Sequence, residues 1–199
     1  MVSSKLKKRF EEKVRTVVAP LGNLGVTPNM LTALGVLLAS ITAYTYTLVP
    51  VNNAYLVFSG VLIIVSGFVD AIDGVLARST GKVTRFGGFF DSVADRYSDA
   101  IIYTGIIVAG LCNQLIGLIT LFASMLVSYA RARAEMEGVN MAGIGLAERA
   151  ERMTFLSLCS IASYWWTPAL NYGITILAAL ALITVLQRIL YFKKMIEKN

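Results

Sequence analysis

Long uncharged apolar runs alternate along this chain with short stretches where charge collects. No Asp, Glu, Lys or Arg occurs in residues 16–69, 100–130 or 153–187. A helix needs roughly 20 mostly apolar residues to cross a bilayer. With proline, glycine and asparagine as breaks, the pattern predicts six spans at about 30–49, 54–78, 87–111, 115–136, 147–166 and 170–192. Thr27 before Pro28 suits a capped helix with proline in its first turn. Residues 50–53 and 112–114 read as short uncharged turns, and 138–145 as a glycine-bearing loop. Tyr164, Trp165, Trp166 and Thr167-Pro168 close the fifth span and fit an interfacial aromatic belt. Ahead of the spans, Lys5, Lys7, Lys8, Arg9, Lys13 and Arg15 alternate with Leu6, Phe10, Val14, Val17, Val18 and Leu21 at near-helical spacing. That predicts a basic amphipathic helix over 4–21 lying in the membrane interface. The fold class expected is an all-α membrane protein, one domain over 1–199, with six transmembrane helices behind an interfacial helix. No internal repeat or linker interrupts it.

Composition agrees. Of 199 residues, 56% are hydrophobic and only 15% charged, against about 25% charged in a soluble domain. The first residues are basic, but Pro20 and Gly22 interrupt the apolar residues after them, so a cleavable signal peptide is not expected. With six spans, all 18 Lys and Arg residues fall on one side of the membrane. The positive-inside rule then puts both termini and the charged loops in the cytoplasm of a multi-pass cell-membrane protein. The net charge of +6 reads as topology and contact with anionic lipid, not nucleic-acid binding. Histidine is absent, which excludes histidine acid–base chemistry and histidine metal ligation. Cys112 and Cys159 are isolated and read as buried or lipid-facing residues.

Chemistry concentrates in residues 70–95. Asp70 and Asp73 are three apart, and Asp91 and Asp95 four apart, so each pair shares a helical face. Between them lies a polar stretch with Arg78, Lys82 and Arg85. This spacing predicts a helical hairpin with two acids at each facing end. Four such acids repel one another unless cations neutralise them. Magnesium favours a few carboxylates together with a substrate phosphate, so a two-metal site is the first hypothesis. Acids paired with the neighbouring basic residues would be the ordinary alternative. Ionisable groups set against apolar spans, however, are functional by default. Gly74 and Gly87 permit either close ligand approach or close helix packing.

Asp70-x-x-Asp73-Gly74-x-x-Ala77-Arg78, eight residues, then Gly87-x-x-x-Asp91-x-x-x-Asp95 resembles the signature of the CDP-alcohol phosphotransferases at all eight positions. The six-span plan is similar too, so the resemblance covers nearly the whole chain. It implies transfer of a substituted phosphate from a CDP-linked lipid to an alcohol, with release of CMP. It further implies two divalent ions, Mg2+ with Mn2+ as an alternative. Asp70 and Asp91 would bridge both ions, Asp73 would bind one, and Asp95 would lie near the second. Asp95 would also be the general base for the acceptor hydroxyl. Asn29, Thr32, Gly74, Ala77, Arg78, Thr84 and Gly87 would bind the CDP-lipid. A homodimer is implied as well. Asp99 continues the four-residue spacing outside the signature and reads as a supporting acid.

Residues 128–152 carry Arg131, Arg133, Arg149 and Arg152. Arginine clusters recognise phosphate through charge-assisted pairs, which points to an acceptor that already carries one. Topology signals paired with Glu135, Glu137, Glu148 and Glu151 would be the plainer explanation. The pattern resembles the family members that use inositol 1-phosphate, the phosphatidylinositol-phosphate and archaetidylinositol-phosphate synthases. Ser128, Arg131, Arg133, Arg149 and Arg152 are then candidates for the acceptor phosphate. The lipid would be CDP-archaeol or CDP-diacylglycerol. Two rivals stand beside this reading, apart from a structural membrane protein without turnover, which would leave the acid cluster unexplained. One is the same chemistry on glycerol 3-phosphate or another alcohol. The other is a cation transporter, disfavoured because the acids cluster at one end of the bilayer.

Overall fold

The computed structural model describes residues 25–197. The expected interfacial helix at 4–21 lies outside the described residues. Six helices and no strands occur among those described: α1 Pro28–Thr47, α2 Ala54–Ser79, α3 Arg85–Val108, α4 Gln114–Met136, α5 Arg149–Ala162 and α6 Ala169–Ile196. Local sequence sets several boundaries. Thr27 accepts a hydrogen bond from the Met30 amide, with Pro28 opening the helix. Thr84 does the same for Gly87 at the start of α3. Glu148 and Glu151 close a reciprocal capping box on α5, which satisfies otherwise orphaned amides.

Four helices, α1, α2, α4 and α6, are long and apolar enough to cross a membrane. The other two depart from the expected pattern. In α3, Arg85, Asp91, Asp95, Arg96 and Asp99 occupy the first two-thirds. The expected fifth span at 147–166 is represented by the 14 residues of α5, after which Ser163 to Thr167 turn. At 1.5 Å per residue α5 is about 21 Å long, shorter than a hydrocarbon core of roughly 30 Å.

The helices pack in a ring. Close backbone packing runs α1–α2–α5–α6–α4–α3 and back to α1, so each helix has two near neighbours, and longer side chains reach across the middle. Close approach is built in: a Cβ on Gly105 of α3 would sit 2.7 Å from the Ala43 backbone of α1, so only glycine fits there. Small polar side chains tie the interior. Ser157 and Ser160 of α5 donate to the Gly60 and Leu56 carbonyls of α2 at 2.8 and 2.7 Å. Tyr46 of α1 donates to Ser160 at 2.9 Å. Large apolar side chains such as Leu37, Phe58, Ile64, Phe122 and Leu186 are exposed on the outside. Small hydrogen-bonded polar groups within an apolar interior, and large apolar side chains outside, suit a lipid solvent, where helices associate through small residues and interhelical hydrogen bonds.

The connections at 48–53, 109–113 and 163–168 carry no charged residue. The beginnings of α1, α3 and α5 and the ends of α2, α4 and α6 therefore share the charged end of the ring.

Candidate active site

The acids of α2 and α3 converge at that charged end. Asp70, Asp91 and Asp95 each offer a carboxylate oxygen, and these oxygens lie within 4.8 Å of one another. All three are half-buried. Asp73 stands slightly apart and is only 6% exposed. It accepts a 2.6 Å hydrogen bond from the Thr32 hydroxyl of α1. The α2–α3 hairpin thus brings four carboxylates to one place, with the first turns of α1 beside them.

Against this cluster lies a cavity of about 290 Å³. Its walls carry Asn29, Thr32, Asp73, Gly74, Ala77, Arg78, Thr84, Gly87 and Asp91. All seven residues expected to bind the CDP-lipid therefore line one space. The two glycines are crowded as well as open. A Cβ on Gly74 would meet the Arg78 guanidinium at 3.2 Å, and one on Gly87 would meet Asn29 Oδ1 at 3.3 Å. Their bareness leaves those polar groups unobstructed. Thr84 has a second task, because its hydroxyl caps α3.

A second cavity, about 360 Å³, opens between α2, α3 and α5. Most of its lining is apolar, including Ile63, Phe68, Ile102 and Met153, while Asp70 and Arg149 contribute the charged groups.

The arginines divide. Arg149, opening α5, inserts into the carboxylate cluster. Its Nη1 lies 2.8 Å from Asp95 and 3.2 Å from Asp70, and its Nε 3.0 Å from Asp99. Arg152, one turn on, is 1% exposed. It donates through Nη1 to the Ala147 carbonyl at 3.1 Å, and its Nη2 is 3.7 Å from Asp99. Among the described residues, its Nε and Nη2 have no hydrogen-bond partner, and neither do the nearby Tyr103 and Ser124 hydroxyls. Arg131 and Arg133 of α4 are instead exposed enough to pair with Glu135 and Glu137 along their own helix. Ser128 is half-buried one turn earlier.

Two residues gain importance that the motif alone did not give them. Asp99 is 3% exposed and is the acid under both Arg149 and Arg152. Arg188 of α6 is also buried, and it donates to the Ile144 and Val127 carbonyls. It fastens the 138–145 loop and α4 to α6. Spacing held the clue: Leu170, Ile174, Leu177, Ala181, Thr184 and Arg188 repeat every three or four residues along one buried face.

The donor set suits a hard cation. It offers several carboxylate oxygens within a few ångströms, and one guanidinium already meets part of their charge. Asp70, Asp91, Asp95 and the adjoining Asp73 are the residues that could hold such ions.

Residues 25–187 match the family model for CDP-alcohol phosphatidyltransferase. The chain is 39% identical over 194 residues to the archaetidylinositol phosphate synthase of Pyrococcus horikoshii, covering 98% of each. It is 34% identical over 178 residues to the phosphatidylinositol phosphate synthase of Mycobacterium tuberculosis, covering 83% of this chain and 79% of that one. The crystal structure of the mycobacterial synthase with CDP-DAG bound superposes with a TM-score of 0.78 at 31% identity, covering 90% of this chain and 92% of that one. A second structure of it, in complex with manganese and citrate, gives a TM-score of 0.78 at 29% identity, covering 90% and 88%. With a family match across most of its length and apolar helices built for lipid, this chain belongs to the CDP-alcohol phosphatidyltransferases and is an integral membrane enzyme.

Proposed function

We propose that the protein transfers the lipid-phosphate group of a CDP-linked lipid, CDP-archaeol or CDP-diacylglycerol, to inositol 1-phosphate and releases CMP. The observation that carries this reading is the meeting of Asp70, Asp91 and Asp95 with Arg149 beside a cavity lined by the rest of the signature. Relatives named archaetidylinositol phosphate synthase and phosphatidylinositol phosphate synthase support the acceptor.

In this reading Asn29, Thr32, Gly74, Ala77, Arg78, Thr84 and Gly87 hold the nucleotide and its pyrophosphate. Arg78 supplies a planar fork for phosphate oxygens. The lipid chains lie toward the apolar cleft between α2, α3 and α5. Two Mg2+ ions, or Mn2+, bound by Asp70, Asp73, Asp91 and Asp95 would neutralise the pyrophosphate and the charge that builds on the leaving CMP. Asp95 accepts the proton of the acceptor hydroxyl, whose oxygen forms a bond to the lipid phosphate as the bond to CMP breaks. Arg149 and Arg152, with Ser128, Arg131 and Arg133, take the phosphate that the acceptor already carries.

The chain folds as one domain with six crossings and an N-terminal interfacial helix. Both termini and the site face the cytoplasm, and two copies pair as a homodimer. The test of function is purified protein with a CDP-lipid, Mg2+ and a panel of alcohols, with CMP measured. Inositol 1-phosphate should release CMP well above free inositol and glycerol 3-phosphate. Equal release from all acceptors would leave the family chemistry standing and remove the acceptor assignment.

A further inference from the structure

Arg149 bridges the ring from the start of α5 to α2 and α3, and it uses two different parts of its guanidinium. Nε is held at 3.0 Å by Asp99. Nη1 lies between Asp95 and Asp70, two of the three carboxylates whose oxygens could converge on a cation. A guanidinium and a hard cation compete for the same oxygens. Asp99 is outside that set, four residues beyond Asp95 on α3, and it is fixed in place. It is buried, and Arg152 Nη2 stands 3.7 Å from its other oxygen. A side chain pinned at Nε retains the freedom to move its outer nitrogens.

We propose, on the metal reading given above, that Asp99 is a positioning residue that pins Arg149 through Nε. Arg149 Nη1 then serves as an internal counter-cation for Asp70 and Asp95 until a divalent ion displaces it and frees it for the acceptor phosphate. The charge of the empty cluster is thereby met from within the chain. Metal and acceptor become linked: by thermodynamic reciprocity, whatever frees Arg149 for phosphate also favours the metal.

The test is Mn2+ binding to the purified full-length protein in detergent, read by electron paramagnetic resonance. Arg149→Gln should bind Mn2+ about tenfold tighter or more, the scale of losing a competing charged hydrogen bond. Asp99→Asn should bind it more weakly, because Arg149 is then drawn wholly onto Asp70 and Asp95. In the double variant, Asp99→Asn should add nothing, since Asp99 acts through Arg149. Contacting residues show this non-additivity, whereas independent charges add. Equal weakening by Asp99→Asn in both backgrounds would make Asp99 an independent charge and overturn the proposal. Arg149→Lys covers the case in which Asp99→Asn does not fold. It keeps the charge but loses the fork, so binding should tighten part of the way toward the glutamine variant. Unchanged affinity in the lysine variant would leave only a general field effect and overturn the proposal. Identical Mn2+ affinity in all variants would overturn it while sparing the metal site. Absence of any Mn2+ binding would remove the metal site as well.

Discussion

The Thr32 hydroxyl of α1 donates to Asp73 of α2 at 2.6 Å, and both side chains are buried. This contact couples the first turns of α1 to the acid motif. It orients the Asp73 carboxylate beside the cavity that carries Asn29, Gly74 and Arg78. Hydrogen bonds to charged groups contribute roughly 1.5–3 kcal/mol. Thr32→Val should therefore raise the KM for the CDP-lipid by about ten- to a hundredfold, with little change in the acceptor KM. An effect confined to the acceptor would separate Thr32 from the nucleotide side.

Turnover should require a divalent cation and stop when a chelator removes it. The basis is the convergence of Asp70, Asp91 and Asp95. Full activity in chelator, with metal removal confirmed by elemental analysis, would sink the metal reading.

Asp95→Asn should abolish most turnover while CDP-lipid binding stays measurable. Asparagine keeps size and polarity but cannot take the acceptor proton. General-base contributions are roughly 10² to 10⁴-fold. Near-normal turnover in the purified variant would take the base role from Asp95.

The arginines should separate by stability. Arg133→Ala breaks an exposed pair with Glu137, and such pairs contribute about 0.3–0.5 kcal/mol. Its melting temperature should hold while the KM for inositol 1-phosphate rises. Arg152→Ala instead empties a buried position, leaves the Ala147 carbonyl without its donor and takes from Asp99 the second of its two cations, Arg149 remaining on the first, a loss of about 1–3 kcal/mol, so it should melt earlier. Equal melting of the two variants would contradict the buried pairing.

Cysteine labelling in intact cells, on a background lacking Cys112 and Cys159, checks the topology. Positions 51, 113 and 169 should label from outside, and position 3 only after permeabilisation. Labelling of 3 and 113 from the same side would overturn six crossings.

The six helices and the acid hairpin were legible because long apolar runs and aspartates at three- and four-residue spacing leave few alternatives, whereas the order of the helices around the ring was not. The motif supplied part of the cavity lining, Gly74, Ala77, Arg78 and Gly87, since these belong to the same hairpin, while Asn29 and Thr32 of α1 came from the family resemblance. Spacing was a poorer guide to the arginines. Arg149 and Arg152 share a helical face with no hint that Asp99 lies beneath both. Arg131 and Arg133 look like their equals in sequence, yet they pair along their own helix. Charge type and spacing are written locally, while partner choice depends on which helices the ring sets opposite. Helix α5 also proved shorter than its apolar stretch suggested, because Ser163 to Thr167 turn early.

That short helix has a consequence for depth. On the proposed topology, Trp165 and Trp166 mark the outer interface, and Arg149 lies at the other end of about 21 Å of helix. Along α3, Asp95 is about 20 Å from the same end. A hydrocarbon core of roughly 30 Å then extends several ångströms past the carboxylates on the cytoplasmic side. A spin label at position 96 should accordingly relax with a lipid-phase quencher more than one at position 82. The proposed topology therefore puts the reaction beneath the membrane surface, in a cup walled by the ring. On that reading a water-soluble acceptor descends to the lipid, and the lipid's phosphate need not rise to meet it.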